Sequence, residues 1–216
     1  MMVTPLARRL AIVTAIVAFV ALFIRYSLTI SIKIDEGGTV LDGLWELARF
    51  YTVWMNTAVF ILVLGVAIAP ASRFGRPRAW LLILPSIIVV GVVFYALLAD
   101  RAHPRGSAAW LAEHLLHAAV PILSVITFLA MTHGLMRWGQ LGWGIILGAT
   151  YGIYLIARGA LEGDYPYWFV NIPQLGIWGS IQSAVMLMGT FALVTALVIG
   201  TDKLLGLSKS SYQEAT

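Results

Sequence analysis

The sequence predicts an all-α integral membrane protein: a single domain over residues 1–216, built as a bundle of six transmembrane helices with both termini in the cytoplasm. Three observations predict it. Composition is the first: 60% of the residues are hydrophobic, 11% are charged and mean hydropathy is +0.89, whereas soluble domains carry about 25% charged residues. Uncharged length is the second. Residues 79–99, 114–136, 138–157 and 175–201 contain no Asp, Glu, Lys or Arg, and crossing a hydrocarbon core takes about 20 residues. Open sheet edges cannot face lipid, so such runs are helical. Charge asymmetry is the third. With the N-terminus inside, the cytoplasmic segments hold Arg8, Arg9, Arg73, Arg76, Arg78, Arg137, Lys203 and Lys209 against Asp202 and Glu214, a net +6, and the other face sums to −2. A basic cytoplasmic side is the expected orientation, N-in and C-in. The overall +4 is therefore a topology signal, and no nucleic-acid partner is implied.

The six spans follow in order. The first, residues 10–32, begins after Arg8-Arg9; no small-x-small cleavage site follows, so it reads as a retained helix rather than a removed leader. Arg25 lies in its second half, where a long cationic chain can snorkel. After a polar loop containing Gly37-Gly38, the second span (44–69) ends at Pro70. Its opening turns carry Glu46, Arg49, Thr52 and Asn56, one polar stripe at helical spacing. An arginine-rich turn leads to the third span (79–99), with Pro85 inside and Tyr95 near its end. The fourth (108–132) contains Glu113, His114 and His117, which share a broad helical face. The fifth (141–158) ends in Tyr151, Tyr154 and Arg158, and a loop rich in tyrosine, tryptophan and proline precedes the sixth (175–200). Those aromatics suit a membrane interface.

With this topology Arg25, Arg49, Thr52, Asn56, Tyr95, Glu113, His114, His117, Tyr154, Arg158, Gln182 and Ser183 all fall in the outer half of the membrane. Ionisable groups at membrane depth are costly and face the bundle interior. The expectation is one polar cavity opening outward. Within it His117 has the chemistry of a general base, and Thr52 is a hydroxyl nucleophile that needs one. Glu113 is placed to orient a histidine, and Asn56 and Arg49 to stabilise an oxyanion. There is no cysteine, which excludes disulfides and thiolate chemistry.

Three segments carry a resemblance. Arg49-Phe50-Tyr51-Thr52-Val53-Trp54-Met55-Asn56 resembles a Phe-Thr-x-x-Thr-Asn-like segment on the second helix of a bacterial six-helix membrane family, itself similar to the androgen-induced-protein superfamily of eukaryotes. Trp110-Leu111, His114, His117 and Val120-Pro121 resemble its Trp-Leu-x-His-x-x-His-x-x-Val-x-Pro segment, without the residue between Val and Pro. Gly163-Asp164-Tyr165-Pro166-Tyr167-Trp168-Phe169 resembles its Gly-x-x-x-Tyr-Pro-Phe loop, with an extra aromatic. The similarity covers roughly residues 45 to 205, in matching order. It implies intramembrane hydrolysis of lipid esters, notably fatty-acid esters of hydroxy fatty acids, by a threonine nucleophile with a histidine. By position these map onto Thr52 and His117.

Three readings stand at this point. One is a lipid esterase without cofactor or metal, acting on fatty-acyl esters, multi-pass in a cell membrane of the bacterial inner-membrane kind. The second is a metal-dependent hydrolase using His114 and His117, although the order Glu-His-x-x-His differs from His-Glu-x-x-His and no further membrane-depth histidine completes the ligand set. The third is a lipid carrier in which Arg25, Arg49 and Arg158 hold an anionic head. Haem is not implied, because His114 and His117, three apart on one helix, cannot ligate opposite faces of one ring.

Overall fold

The computed structural model describes residues 2–214, with side chains described as far as Leu207, so Lys209 and Glu214 of the charge argument lie outside the described side chains. Every regular element among the described residues is helical, and six helical spans are long and apolar enough to cross a membrane. The protein is a multi-pass helical membrane protein.

Helix α1 (Pro5–Asp35) is longer than the sequence expectation. Thr4 starts it by accepting the Ala7 N–H at 3.0 Å, with Pro5 in the first helical position, where its missing N–H costs nothing. Ala7, Ala11, Ala15, Ala18, Ala21 and Leu22 form its buried stripe. Small residues let backbones approach closely, which drives helix association where lipid removes the hydrophobic incentive. Ile12, Ile16, Phe19 and Phe23 stay exposed on the other side, as a lipid-facing surface requires.

The second span departs from its expected form. Instead of one helix over 44–69 there is a short α2 (Val40–Leu47), a break at residues 48–50, and α3 (Tyr51–Ile68). Thr39 and Asp42 close a reciprocal capping box that starts α2 early. The Thr39 hydroxyl and amide hold the Asp42 carboxyl below its usual range. The break splits the polar stripe, so Glu46 and Arg49 do not share a helix with Thr52 and Asn56.

Helix α4 (Pro77–Val93) continues through a π turn at Phe94–Leu98. The fourth span is α5 (Ser107–His114), a π turn at Leu115–Ala119 and α6 (Val120–Leu129). Helix α7 (Leu141–Glu162) ends at Gly163 in the left-handed region (φ 72°), and α8 (Ile172–Glu214) is interrupted at Gly176, φ 65° and ψ 176°. Both conformations favour glycine for lack of a Cβ.

The start of α1, the 130–136 turn and the end of α8 gather at one end of the bundle. There the Thr4 hydroxyl donates to the Ala130 carbonyl (2.6 Å), and fully buried Asp202 accepts the Met136 N–H (2.7 Å) with His133 Nδ1 at 3.2 Å. The loops around residues 45–50, 99–102 and 163–170 close the other end, where Trp45 Nε1 donates to Glu162 (2.8 Å).

Candidate active site

At that second end α1, α3 and the fourth span meet on a chain of four side chains. Thr52 Oγ1 lies 3.1 Å from His117 Nε2. His117 Nδ1 lies 3.0 Å from the Glu113 carboxylate and 2.9 Å from the Glu113 carbonyl. The other carboxylate oxygen accepts a hydrogen bond from Arg25 Nη2. Both groups facing Nδ1 are acceptors, so Nδ1 carries the proton of a neutral ring. Nε2 is then the acceptor for the Thr52 hydroxyl. The ring is also held in plane, stacked on Phe94 with centroids 3.7 Å apart at 14°.

Irregular helix geometry creates this placement. His117 sits in one π turn and Phe94 in the other, and π turns inside helices often mark functional sites. In the Leu115–Ala119 turn the Val120 N–H reaches back to the Leu115 carbonyl. The amide that would continue this register onto Leu116 belongs to Pro121, which has no N–H. Asn56 supplies the missing donor: its Nδ2 reaches Leu116 O at 3.2 Å and Thr52 O at 2.8 Å. Asn56 is fully buried, so it stitches α3 to the π turn rather than facing a ligand. Gly91 lets α4 close in, since a Cβ there would come within 2.9 Å of the His117 carbonyl.

Two cavities meet at the Thr52–His117 pair. The polar one, about 440 Å³, has Arg25, Arg101, Glu113 and Trp168 in its wall. The apolar one, about 140 Å³, runs between α4, α7 and α8 past Val90, Tyr151, Gly152, Met188 and Phe191. Thr52, Phe94, Leu98, His117 and Tyr167 belong to both walls.

Not every expected site residue joins. Arg49 points to the rim, where it pairs with Glu46 (3.4 Å), Glu162 (3.1 Å) and Asp164 (2.7 Å). Burial works against its charge, but these carboxylates outweigh it and hold its pKa above the ordinary arginine value. Arg158 is buried and committed to Glu162 (2.9 Å), the Trp45 carbonyl (2.8 Å), the Tyr154 hydroxyl (2.9 Å) and the Trp45 ring face. Tyr154 therefore supports Arg158 and lines neither cavity. The carrier reading, which needed Arg49 and Arg158 free for an anion, loses both. Asn56 and Arg49 are likewise spent as oxyanion donors.

His114 turns away from His117. It stacks on Trp110 (3.9 Å between centroids) with Nδ1 2.9 Å from the Trp110 carbonyl. Among the described residues no group of three or more His, Asp or Glu side chains could hold a metal ion. Tyr95 and Gln182 are exposed, and with Ser183 they lie outside both cavity walls, so the single polar cavity expected from the sequence is corrected to a smaller site plus separate rim contacts.

The sequence reading missed Phe94, Arg101 and Tyr167. Only Tyr167 had a signal, its place in the tyrosine-proline loop. Comparison with protein-family models, with curated proteins and with solved structures finds no match.

Proposed function

We propose that this protein is an intramembrane lipid esterase that hydrolyses acyl esters of amphiphilic lipids, such as fatty-acid esters of hydroxy fatty acids, through an acyl-Thr52 intermediate. One observation carries the reading: a hydroxyl, an imidazole and a carboxylate stand in hydrogen-bonded order where a polar and an apolar cavity share a wall. A threonine hydroxyl is a weak nucleophile unless a base removes its proton as it attacks. Here His117 Nε2 takes that proton while Glu113 stabilises the imidazolium that forms, and Arg25 anchors Glu113. Thr52 Oγ1 bonds to the acyl carbon, and the carbonyl electron pair moves to oxygen. Collapse expels the alkoxide, which His117 protonates as the alcohol leaves. Water then repeats the sequence and releases the acid.

The two cavities suit an ester with unlike arms. An acyl chain belongs in the apolar slot, and the polar portion belongs beside Arg25 and Arg101. The loop-charge bias favours a cell membrane, bacterial inner-membrane in kind, with the site towards the outer face. The test is hydrolysis of a long-chain acyl ester by the purified full-length protein in detergent, with the acyl-enzyme trapped and located by mass spectrometry. The expected label is on Thr52. Full turnover by Thr52→Ala would sink the reading.

A further inference from the structure

The tetrahedral intermediate of such a reaction carries an oxyanion, and the residues expected to receive it are spent elsewhere. Asn56 donates to two carbonyls, and Arg49 is surrounded by carboxylates. Yet the site contains another donor. Tyr167 is in both cavity walls, and its hydroxyl stands beside those of Thr52 and Tyr151.

The protons at this junction can be assigned. The Tyr51 N–H donates to the Tyr167 oxygen at 3.1 Å. The Tyr151 hydroxyl donates to the Arg49 carbonyl. The Thr52 hydroxyl donates to His117. Among the described residues no carbonyl or carboxylate accepts the Tyr167 proton; the oxygens that face it are the Thr52 and Tyr151 hydroxyls, weaker acceptors than a full oxyanion, so the proton is free to turn to one. Burial raises the phenol above the ordinary tyrosine range, so it stays protonated. The Tyr51 amide and the stack on Phe169 (5.3 Å, 6°) hold the ring in position. The backbone agrees in direction. The break at residues 48–50 makes Thr52 the second residue of α3, and its own N–H donates to no group among the described residues.

We infer that Tyr167 is a catalytic residue of the proposed reaction: its O–H donates to the oxyanion formed when Thr52 attacks the acyl carbon, together with the Thr52 N–H. Tyr167 keeps its own proton in this step, while the Thr52 proton goes to His117. The carbonyl oxygen gains a full negative charge as the C–Oγ1 bond forms, the two donors hold it, and on collapse its electron pair re-forms the C=O bond as the ester C–O bond breaks and the alkoxide leaves. Such donors act on the transition state more than on the bound ester. The inference rests on the esterase reading.

Its test uses the full-length protein in detergent with 4-nitrophenyl palmitate as the ester. Removing one oxyanion donor costs about 10²–10³-fold in kcat. Tyr167→Phe, which keeps the stacked ring, is therefore expected to lose about that much kcat with KM within about twofold of wild type. Replacing Tyr167 with tetrafluorotyrosine lowers the phenol pKa by several units, enough to offset the rise from burial and bring it into the assayed range, while keeping both its hydrogen-bonding atoms. Activity is then expected to fall at a lower alkaline pH than in wild type, because a phenolate cannot donate. A merely structural tyrosine would not produce that shift, and the fluorinated protein gives an answer even if Tyr167→Phe fails to fold. Tyr167→Phe with wild-type kcat, or an unchanged alkaline limb in the fluorinated protein, overturns the inference while an inert Thr52→Ala leaves the esterase reading standing. An unimpaired Thr52→Ala removes that reading itself, and the inference with it.

Discussion

His117 is held by different partners at each ring nitrogen, and its chemistry depends on which one carries the proton. Two acceptors from Glu113 place that proton on Nδ1 and leave Nε2 for Thr52. Glu113→Gln keeps the shape but can turn an amide N–H towards Nδ1, favouring the tautomer whose Nε2 cannot accept. The expected result is a loss in kcat of about 10⁴-fold, as for the corresponding change in a Ser-His-Asp triad, with folding retained. Wild-type turnover by this variant would remove Glu113 from the mechanism. Thr52→Ala and His117→Ala should each lose on the order of 10³-fold or more, and the double variant little beyond the worse single, because the pair acts as one unit. Additive losses in a double-mutant cycle would contradict that coupling.

Helices can bring these side chains together only where they depart from regular winding. Two π turns face each other across the site, and Asn56 repairs the bond that Pro121 leaves unmade. Asn56→Leu fits the buried volume but strands the Leu116 carbonyl. A buried group left unpaired costs about 1–3 kcal/mol, so a lower unfolding midpoint in detergent is expected, with reduced turnover as Thr52 and His117 drift apart. An unchanged midpoint would mean that the carbonyl finds another donor. Packing of α7 on α8 makes a separate demand. A Cβ at Gly148 would lie 2.5 Å from the Phe191 ring, in the wall of the apolar cavity. Gly148→Val should narrow that slot, so hydrolysis of long-chain esters is expected to fall more than that of short-chain ones. Equal losses across chain lengths would place the acyl chain elsewhere.

Across the whole molecule, the two ends of the bundle have different work. One ties the N-terminal residues and the Asp202 turn of α8 to the 130–136 turn through Asp202, Thr4 and Thr132. The other gathers Glu46, Arg49, Arg158, Glu162 and Asp164 into a network that fixes the loops over the site. Membrane orientation decides which end meets the substrate. A reporter fused at Thr216 is expected to read as cytoplasmic, and a membrane-impermeant reagent should reach residues of the 163–170 loop from outside intact cells. An extracytoplasmic reporter would invert the assignment.

The sequence by itself determined the fold class and the spans, because hydrocarbon thickness and the cost of unpaired backbone in lipid leave long apolar runs few other conformations. The residues of the Thr52–His117 pair were also legible, as a hydroxyl and an imidazole at membrane depth with Glu113 one turn away. What the chain pattern could not express was the break at residues 48–50 and the two π turns. Helical spacing assumes an unbroken 3.6-residue period, and each departure rotates everything beyond it. Arg49 was thus read onto the face of Thr52 but sits on the rim, and His114 was read beside His117 but stacks on Trp110. Phe94, Arg101 and Tyr167 reach the site from other spans and loops, and no spacing rule links them to Thr52. Only the tertiary structure decided which polar groups were already paired: some partners lie one turn away on the same helix, as for Arg158 with Glu162, but Arg49 with Glu162 and Asp164, Asn56 with Leu116 and Arg25 with Glu113 join residues 60 or more apart along the chain. Proximity of that kind comes from packing, not from local pattern.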